Sequence, residues 1–281
     1  MAKSTWVDYS AKFKIFIGFS NGLGHLPELQ KLSLFIAELY RNNLCVATVR
    51  SYLSAISFHY KLTGCIDVTK DPLILMAVKG LGRKMSGKRP IRKPITLNLL
   101  HALIFEVGRR SSSVYEATLF KALFSVMYYA ALRVGEVGWS GTSKHALRAD
   151  GVSFTHKGMF LKLHSYKFST APATIFITRR RGKFCPVKLA HEYLRVRPKG
   201  SLNFFVDKYG NPIKRIIISD KLRLALLGLG IDHNSYNCHS FRIGAATDLW
   251  EENASSEKIR LFGRWNSGAF RRYLKPRAIV R

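Results

Sequence analysis

Acidic residues are scarce in this sequence. Of its 281 residues only 17 are Asp or Glu, against 46 Lys or Arg, so the formal net charge is +29. An excess of this size makes a polyanion the expected partner, either nucleic acid or an anionic membrane surface. The chain is not a disordered basic tail, because 47% of its residues are hydrophobic and 12% are aromatic, enough for a buried core.

Closely spaced metal ligands and long apolar runs are missing too. The four cysteines lie far apart without a CxxC pair, and the nine histidines are scattered, which argues against a metal site and against a disulfide framework. No uncharged apolar run approaches the ~20 residues that a membrane-spanning helix needs. The apolar stretch 13–19 is short, contains Lys14 and lacks a small-residue cleavage site, so we expect no signal peptide. Nucleic acid is therefore favoured, and no membrane partner is expected.

The charge is unevenly distributed along the chain. Residues 1–87 hold 11 of the 46 basic and 5 of the 17 acidic side chains. The change falls at residues 88–95, where Pro90 and Pro94 disfavour a helix and four cations keep the chain solvated. We interpret this segment as a basic linker between two domains, 1–87 and 96–281, although an ordinary charged loop would have the same composition. Its cations are Lys88, Arg89, Arg92 and Lys93.

The hydrophobic pattern differs between the two domains. Apolar residues recur at helical spacing through the first domain and predict a compact all-α unit. Its helices are predicted at about 5–21, from Pro27 onwards, at 48–62 and at 71–85. In the second domain two helix patterns precede two strand-like segments that a polar turn joins into a hairpin, and further helix patterns follow. These segments are 96–107, 113–131, 158–165, 173–178, 190–196, 220–227, 239–252 and 257–261. The predicted fold class is mainly α with a small antiparallel sheet, an α+β arrangement.

Three segments of the second domain carry side chains suited to binding or attacking a phosphate. Arg133 follows an apolar helix and lies close to Glu136 in sequence. His239 and Arg242 are three residues apart, so on a helix they share one face. Tyr273 lies in a C-terminal segment rich in arginine. Each segment also has an ordinary explanation: a cation paired with a carboxylate at a helix C-terminus, a surface His–Arg pair, and an aromatic residue packed on the domain.

Together these segments resemble the active-site boxes of the tyrosine recombinases, also called phage-integrase-type enzymes. The strings ALRVGEV, CHSFRIGAATDLWE and LFGRWNSGAFRRYLKP are similar to those of recombinases carried by DIRS-type retroelements and crypton-like elements of eukaryotic genomes. They occupy residues 131–137, 238–251 and 261–276. The string VRSYLSAI at 49–56 resembles part of the family's core-binding domain. The resemblance covers the whole chain and implies a helical core-binding domain followed by an integrase-like catalytic domain.

The function that this resemblance implies is site-specific cleavage and rejoining of DNA strands through a 3′-phosphotyrosyl intermediate. Tyr273 matches the nucleophile, and because the covalent intermediate conserves the bond energy, no ATP, metal or other cofactor is implied. Arg133 and Arg242 match the two arginines that bind the non-bridging oxygens of the scissile phosphate. A guanidinium suits that role because its planar fork donates two hydrogen bonds and keeps its charge.

Four other residues complete the implied site. Lys167 matches a hairpin lysine that acts as general acid towards the leaving 5′ oxygen, although the family often has Ser-Lys-Thr where this chain has Tyr-Lys-Phe. His239 matches a proton shuttle for the tyrosine hydroxyl. Trp265 occupies a position where members carry histidine or tryptophan, and its indole N–H can only donate a hydrogen bond. Glu136 matches an acidic residue that orients Arg133.

Double-stranded DNA is the partner that the resemblance implies. Recombination joins two duplexes at four active sites, so we expect a homotetramer on DNA. The similarity to eukaryotic elements predicts a nuclear location. The predicted DNA contacts outside the active site are Arg50 and Ser54 on the third helix and the linker cations Lys88, Arg89, Arg92 and Lys93.

Two other functions fit the same residues. A domesticated recombinase would keep the fold and the charge and bind DNA without cleaving it. A type IB topoisomerase uses the same tyrosine chemistry, as a monomer, to relax supercoils. The reaction outcome separates the three: exchange between two specific sites, relaxation alone, or binding alone.

Overall fold

The computed structural model describes residues 3–85, 92–139, 145–166, 169, 171–272 and 274. The chain divides into two compact units, Met1–Pro90 and Ile91–Arg281. Within the predicted linker, residues 88–91 lie outside the described residues. Residues 92–95 lie on the second unit, where the backbone N–H groups of Lys93 and Ile95 donate to the carbonyls of Ser235 (2.8 Å) and Ser240 (3.0 Å).

Helices make up the described part of the first unit, at the places that the apolar pattern predicts. They are α1 (Lys3–Asn21), α2 (Glu28–Arg41), α3 (Val46–Thr63) and α4 (Pro72–Lys84). Gly64 ends α3 in the left-handed conformation that glycine adopts readily (φ 69°). Asp71 caps α4 by accepting a hydrogen bond from the Leu73 N–H (2.8 Å). The apolar faces meet in a core that includes Phe16, Leu32, Phe35, Val49, Ile56 and Ile74.

The second unit packs helices around a small sheet, so the predicted fold class is confirmed. In the part of it that the structure describes, the elements are α5 (Leu97–Arg110), α6 (Val114–Tyr129), α7 (Val134–Val137), β1 (Val152–Phe154), β2 (Gly158–Leu163), β3 (Ala173–Thr178), α8 (Pro186–Val196), α9 (Arg215–Gly228), α10 (His239–Glu251) and α11 (Ser256–Phe262). A 3-10 helix, Gly268–Arg272, follows α11.

The sheet is antiparallel in the order β1-β2-β3, and β2 with β3 forms the hairpin expected from the sequence. In β2 the alternating residues Met159, Leu161 and Leu163 are buried. Tyr166 and Ser169 exchange two backbone hydrogen bonds in the connection to β3. Strand β1 was not predicted, because three residues are too few for a strand pattern to stand out.

Helix α6 is the central element of the second unit and is buried on nearly all sides. It ends at Tyr129, before the predicted end at Ala131, because Ala131 adopts a left-handed conformation (φ 43°). A left-handed alanine is uncommon and carries a conformational cost. This turn separates α6 from the short helix α7, which the sequence pattern did not predict.

A glycine allows the 92–95 segment to approach α10 closely. A Cβ atom on Gly244 would overlap the backbone carbonyl oxygen of Ile95, whose side chain is fully buried. We therefore expect G244A to lower the free energy of unfolding by about 1–3 kcal/mol, the usual cost of overpacking. Urea unfolding followed by circular dichroism measures it. Gly80 in α4 has no neighbouring atom within 4 Å of the point that a Cβ would occupy, so G80A should be neutral or stabilising. Equal stability of G244A and the unaltered chain would show that the segment is not packed on α10 in solution.

Candidate active site

Arg242 is a fully buried arginine in the first turn of α10. Its Nη1 donates to the carbonyl oxygen of Ala131 (2.6 Å), and its Nη2 donates to the carbonyl oxygen of Gly263. The guanidinium carbon lies 4.2 Å from the centroid of the Trp265 ring, a cation–π contact. The alternative of a surface His–Arg pair is therefore wrong for Arg242, whose orientation is fixed by contacts with two other parts of the chain, the Ala131 turn and the segment 263–265.

Arg133 lies just beyond the left-handed turn and is the N-cap residue of α7. Its Nη1 donates to Glu136 Oε1 (3.0 Å), and its backbone N–H donates to Glu136 Oε2 (3.0 Å). The expected pairing of these two residues is present, but at the start of a separate helix rather than at the C-terminus of α6. Among the residues that the structure describes, the Nε and Nη2 atoms of Arg133 have no hydrogen-bond partner.

Glu136 is buried, with 2% of its side chain exposed, and it joins two guanidiniums. Oε2 also accepts a hydrogen bond from Arg264 Nη2 at 2.9 Å. A buried carboxylate needs paired charge to be tolerated, and here it has two cations. Arg242 bonds the Ala131 carbonyl of the adjoining turn, so three guanidiniums and one carboxylate lie around this turn, which leaves an excess of positive charge suited to binding an anion.

Arg264 is the member of this network that the sequence analysis did not single out. Its side chain is 7% exposed, and it donates from Nη1 to the carbonyl of Ala130 (3.1 Å) and from Nη2 to that of Ala131 (3.4 Å). Burial lowers the pKa of the Arg264 guanidinium from its usual value, and the Glu136 carboxylate opposes that shift. Its backbone is left-handed (φ 53°), a feature without a sequence signal for arginine, and its partners are more than 100 residues away.

Trp265 and His239 lie beside Arg242 in different ways. Trp265 is 7% exposed, stacks on the Arg242 guanidinium and packs against Phe270, with ring centroids 5.7 Å apart. Its predicted hydrogen bond to phosphate stays a prediction. His239 is the first residue of α10, three residues before Arg242 and thus on the same helix face, and it is half-buried.

Two predicted catalytic residues lie outside the described residues. Lys167 falls in the connection between β2 and β3, and Tyr273 directly follows the 3-10 helix Gly268–Arg272. The linker cations Lys88 and Arg89 also lie outside them. Arg92 and Lys93 are exposed on the second unit, where Arg92 Nη1 donates to the carbonyl of Asn234 (2.6 Å).

Arg50 and Ser54 line a basic cleft on the first unit. Both are exposed on α3, and the Ser54 hydroxyl donates to the Arg50 carbonyl (2.9 Å). Three exposed lysines line the same cleft: Lys61, Lys70 and Lys79. Within the described residues, none of these four cations forms an ion pair, so their charge is available to an external anion. The sequence analysis missed the lysines because they lie on different elements.

Neither a metal site nor a membrane helix is found in the described part of the chain. No three His, Cys, Asp or Glu side chains there are grouped in a way that would hold a metal ion. None of the described helices is both long enough and apolar enough to cross a membrane.

Comparisons with known proteins point to one fold. Neither protein-family models nor curated proteins match the sequence. Among solved structures, the Tn1549 transposon integrase in complex with transposon right end DNA has a TM-score of 0.68 at 10% identity, covering 98% of this chain and 90% of that one. The XerH site-specific recombinase, in a post-cleavage complex with a palindromic difH substrate, has a TM-score of 0.67 at 12% identity, covering 98% and 76%. A lambda integrase tetramer bound to a Holliday junction has a TM-score of 0.60 at 12% identity, covering 98% and 72%.

The chain has the fold of the tyrosine recombinases. At these identities the likeness concerns the fold and not the chemistry of particular side chains. Within this tyrosine recombinase fold, Arg133 contacts Glu136 and Arg242 contacts Trp265. Arg264 links the two pairs, because it bonds Glu136 and the Ala131 carbonyl that Arg242 also bonds.

Proposed function

We propose that the chain is a site-specific DNA recombinase that cleaves and rejoins strands through a 3′-phosphotyrosyl bond on Tyr273. The observation that carries the proposal is the network around the Ala131 turn, in which the side chains of Arg242 and Arg264 are buried and that of Arg133 is half-buried. A phosphoryl-transfer transition state accumulates negative charge on its non-bridging oxygens, and fixed cations stabilise that charge without reorganising. Arg133 and Arg242 are the residues proposed to bind these oxygens, and Glu136 orients Arg133.

The proton transfers fall to residues with suitable donors. Lys167 is proposed to protonate the leaving 5′ oxygen, and His239 to take up the proton of the Tyr273 hydroxyl as it attacks. Trp265 is proposed to donate its indole N–H to the phosphate, since an indole has no acceptor. The reaction is balanced: the phosphate exchanges a 5′ oxygen ester for a tyrosyl ester, and the free 5′ hydroxyl reverses the step.

The proposed substrate is double-stranded DNA and the proposed assembly is a homotetramer on it. The net charge of +29 suits a polyanion, and the basic cleft of the first unit supplies unpaired cations for phosphates. The lambda integrase of similar fold forms a tetramer on a Holliday junction. The kinship with recombinases of DIRS-type and crypton-like elements, the mobile-element origin and the nuclear location stay predictions based on the local sequence similarity.

The direct test is a search for covalent adducts on nicked duplexes of randomised sequence. A nick placed just 3′ of the cleavage site lets the short fragment with the free 5′ hydroxyl diffuse away, so the strand cannot be rejoined and the adduct is trapped. The adduct migrates slowly on a denaturing gel, and sequencing of its DNA identifies the site. The proposal expects adducts on a narrow set of sequences and exchange between two copies of that site. Plasmid relaxation without exchange would favour a topoisomerase, and DNA binding without any adduct would favour a domesticated protein.

The basic cleft makes a separate prediction. Replacing Lys61, Lys70 and Lys79 together by alanine should weaken DNA binding and flatten the dependence of log K on log salt by about one per lysine lost. Fluorescence anisotropy at several salt concentrations measures both quantities. The matched control compares the double variant of Lys70 and Lys79 with that of Lys14 and Lys84, two exposed cations of the same unit that do not line the cleft and form no ion pair within the described residues. An equal loss in both double variants would show that only total charge matters and that the cleft is not a DNA contact.

A further inference from the structure

The donor atoms of Arg264 are directed at the protein. Its two Nη atoms bond the carbonyls of Ala130 and Ala131 and one oxygen of Glu136. Its Nε is buried and has no hydrogen-bond partner among the described residues. Arg264 thus ties the segment after α11 to the turn between α6 and α7, and all its hydrogen bonds among the described residues go to that turn and to Glu136.

Arg264 and Arg133 share one carboxylate. Glu136 Oε2 accepts hydrogen bonds from the backbone N–H of Arg133 and from Nη2 of Arg264, and Oε1 accepts one from Nη1 of Arg133. The carboxylate is therefore held by both arginines. The orientation of its Oε1 towards Arg133 depends on the bond that Arg264 makes to Oε2. Without Arg264, one buried oxygen loses its strongest donor, because hydrogen bonds between charged groups are about twice as strong as neutral ones.

We propose that Arg264 is a positioning residue that holds the guanidinium of Arg133 at the scissile phosphate by fixing Glu136 from the opposite side. The inference rests on the proposed function for what Arg133 binds. The geometry assigns no contact between Arg264 and DNA. Its effect on cleavage runs through Arg133, and its effect on DNA affinity is small because the many other cations of the chain hold the neighbouring phosphates.

The test is R264M alone and combined with R133K. R264M should reduce the cleavage rate constant by about 100-fold, the size of effect that a misplacement near 1 Å produces, with little change in the DNA concentration at half-saturation. In the R133K background the same substitution should cost little more, because the group that Arg264 positions is already altered. R264K, which keeps the charge, should restore part of the rate.

Loss of structure is separated from loss of position by a matched control. Arg197 in the same unit also bonds buried backbone carbonyls, including those of Phe204 (2.8 Å) and Ser201 (2.6 Å), and does not contact the network. R197M should lower the unfolding temperature and leave the cleavage rate of the folded protein unchanged. If R264M itself does not fold, R264M/E136Q is compared with E136Q alone. The positioning role expects R264M to cost little more there, because Glu136, the group that Arg264 fixes, is already altered.

The outcomes distinguish this inference from the proposed function. A chain that forms no adduct in its unaltered form refutes the proposed function. A crystal structure of R264M would then still test the positioning role. Loss of the 3.0 Å hydrogen bond between Arg133 Nη1 and Glu136 Oε1 would support that role, and an unchanged bond would refute it. An active chain in which R264M cleaves normally, or loses as much rate in the R133K background as alone, refutes the positioning role only.

Discussion

Tyr273→Phe will keep DNA binding and abolish covalent attachment. The substitution removes one oxygen atom, and with it the only nucleophile that the proposal contains, while the aromatic ring is kept. Because nucleophilic catalysis requires that atom, the expected loss of adduct is complete rather than partial. Denaturing gels of trapped nicked duplexes measure the adduct, and native gels measure binding.

The sharpest control for this prediction is another tyrosine near the same arginines. Tyr166 directly precedes Lys167, the proposed general acid, in the connection between β2 and β3. Burial lowers the pKa of the Arg264 guanidinium, and the Tyr166 phenol acts to raise it. Tyr166→Phe should form the adduct, and mass spectrometry of the DNA-linked peptide should identify Tyr273. The reverse pattern, with an adduct in Y273F and none in Y166F, would show that Tyr166 is the nucleophile. Tyr128 and Tyr193 are poorer candidates, since burial raises the pKa of each and disfavours the phenolate.

Arg242→Met should lower the rate of cleavage by on the order of 10²–10³-fold or more, as does removal of a fixed donor to a developing oxyanion. The physical reason is that Arg242 is held by two backbone carbonyls and by the Trp265 ring, so its charge is in place before the transition state forms. DNA affinity should change much less, because phosphates beyond the scissile one are bound by other residues. Single-turnover cleavage with saturating protein measures the effect.

The same substitution also removes buried hydrogen bonds, so stability needs its own control. Leaving the carbonyl of Gly263 without its donor costs about 1–3 kcal/mol, and the carbonyl of Ala131 keeps only the longer hydrogen bond from Arg264 (3.4 Å). Phe270→Leu reduces packing on Trp265 without changing any charge, and it serves as a destabilised variant with an intact guanidinium. F270L that cleaves well while R242M does not assigns the loss to the charge. Normal cleavage by R242M would refute the proposed role of Arg242.

Local chemistry made much of the fold predictable. The four helices of the first unit follow from apolar spacing, from Asp71 as a cap and from Gly64 as a stop. The β2–β3 hairpin follows from alternation and β-branched residues. What escaped prediction depends on contacts between distant residues: an alanine in a left-handed turn, a strand of three residues and a helix of four.

The candidate site shows the same division. Arg133, Glu136 and Arg242 were found through resemblance, and the structure links them through the Ala131 turn. The burial of Arg242 was not expected, because arginine is rarely buried unless it is paired, and its partners are backbone carbonyls that no sequence pattern reveals. Arg264 was not predicted as a site residue, because its link to the site is a hydrogen bond to Glu136, which lies 128 positions earlier in the sequence.

The buried guanidiniums also make folding and anion binding dependent on each other. Arg133 and Arg264 share the Glu136 carboxylate and Arg242 bonds the adjoining Ala131 carbonyl, and like charges repel more strongly in a low-dielectric interior than in water. Without a bound anion this repulsion is subtracted from the free energy of unfolding, and a phosphate oxygen relieves it. A ligand that binds only the folded chain raises its stability in proportion to its affinity. By this linkage we expect DNA, the substrate proposed above, to stabilise the folded chain, and the chain to resist unfolding most while an anion occupies the site.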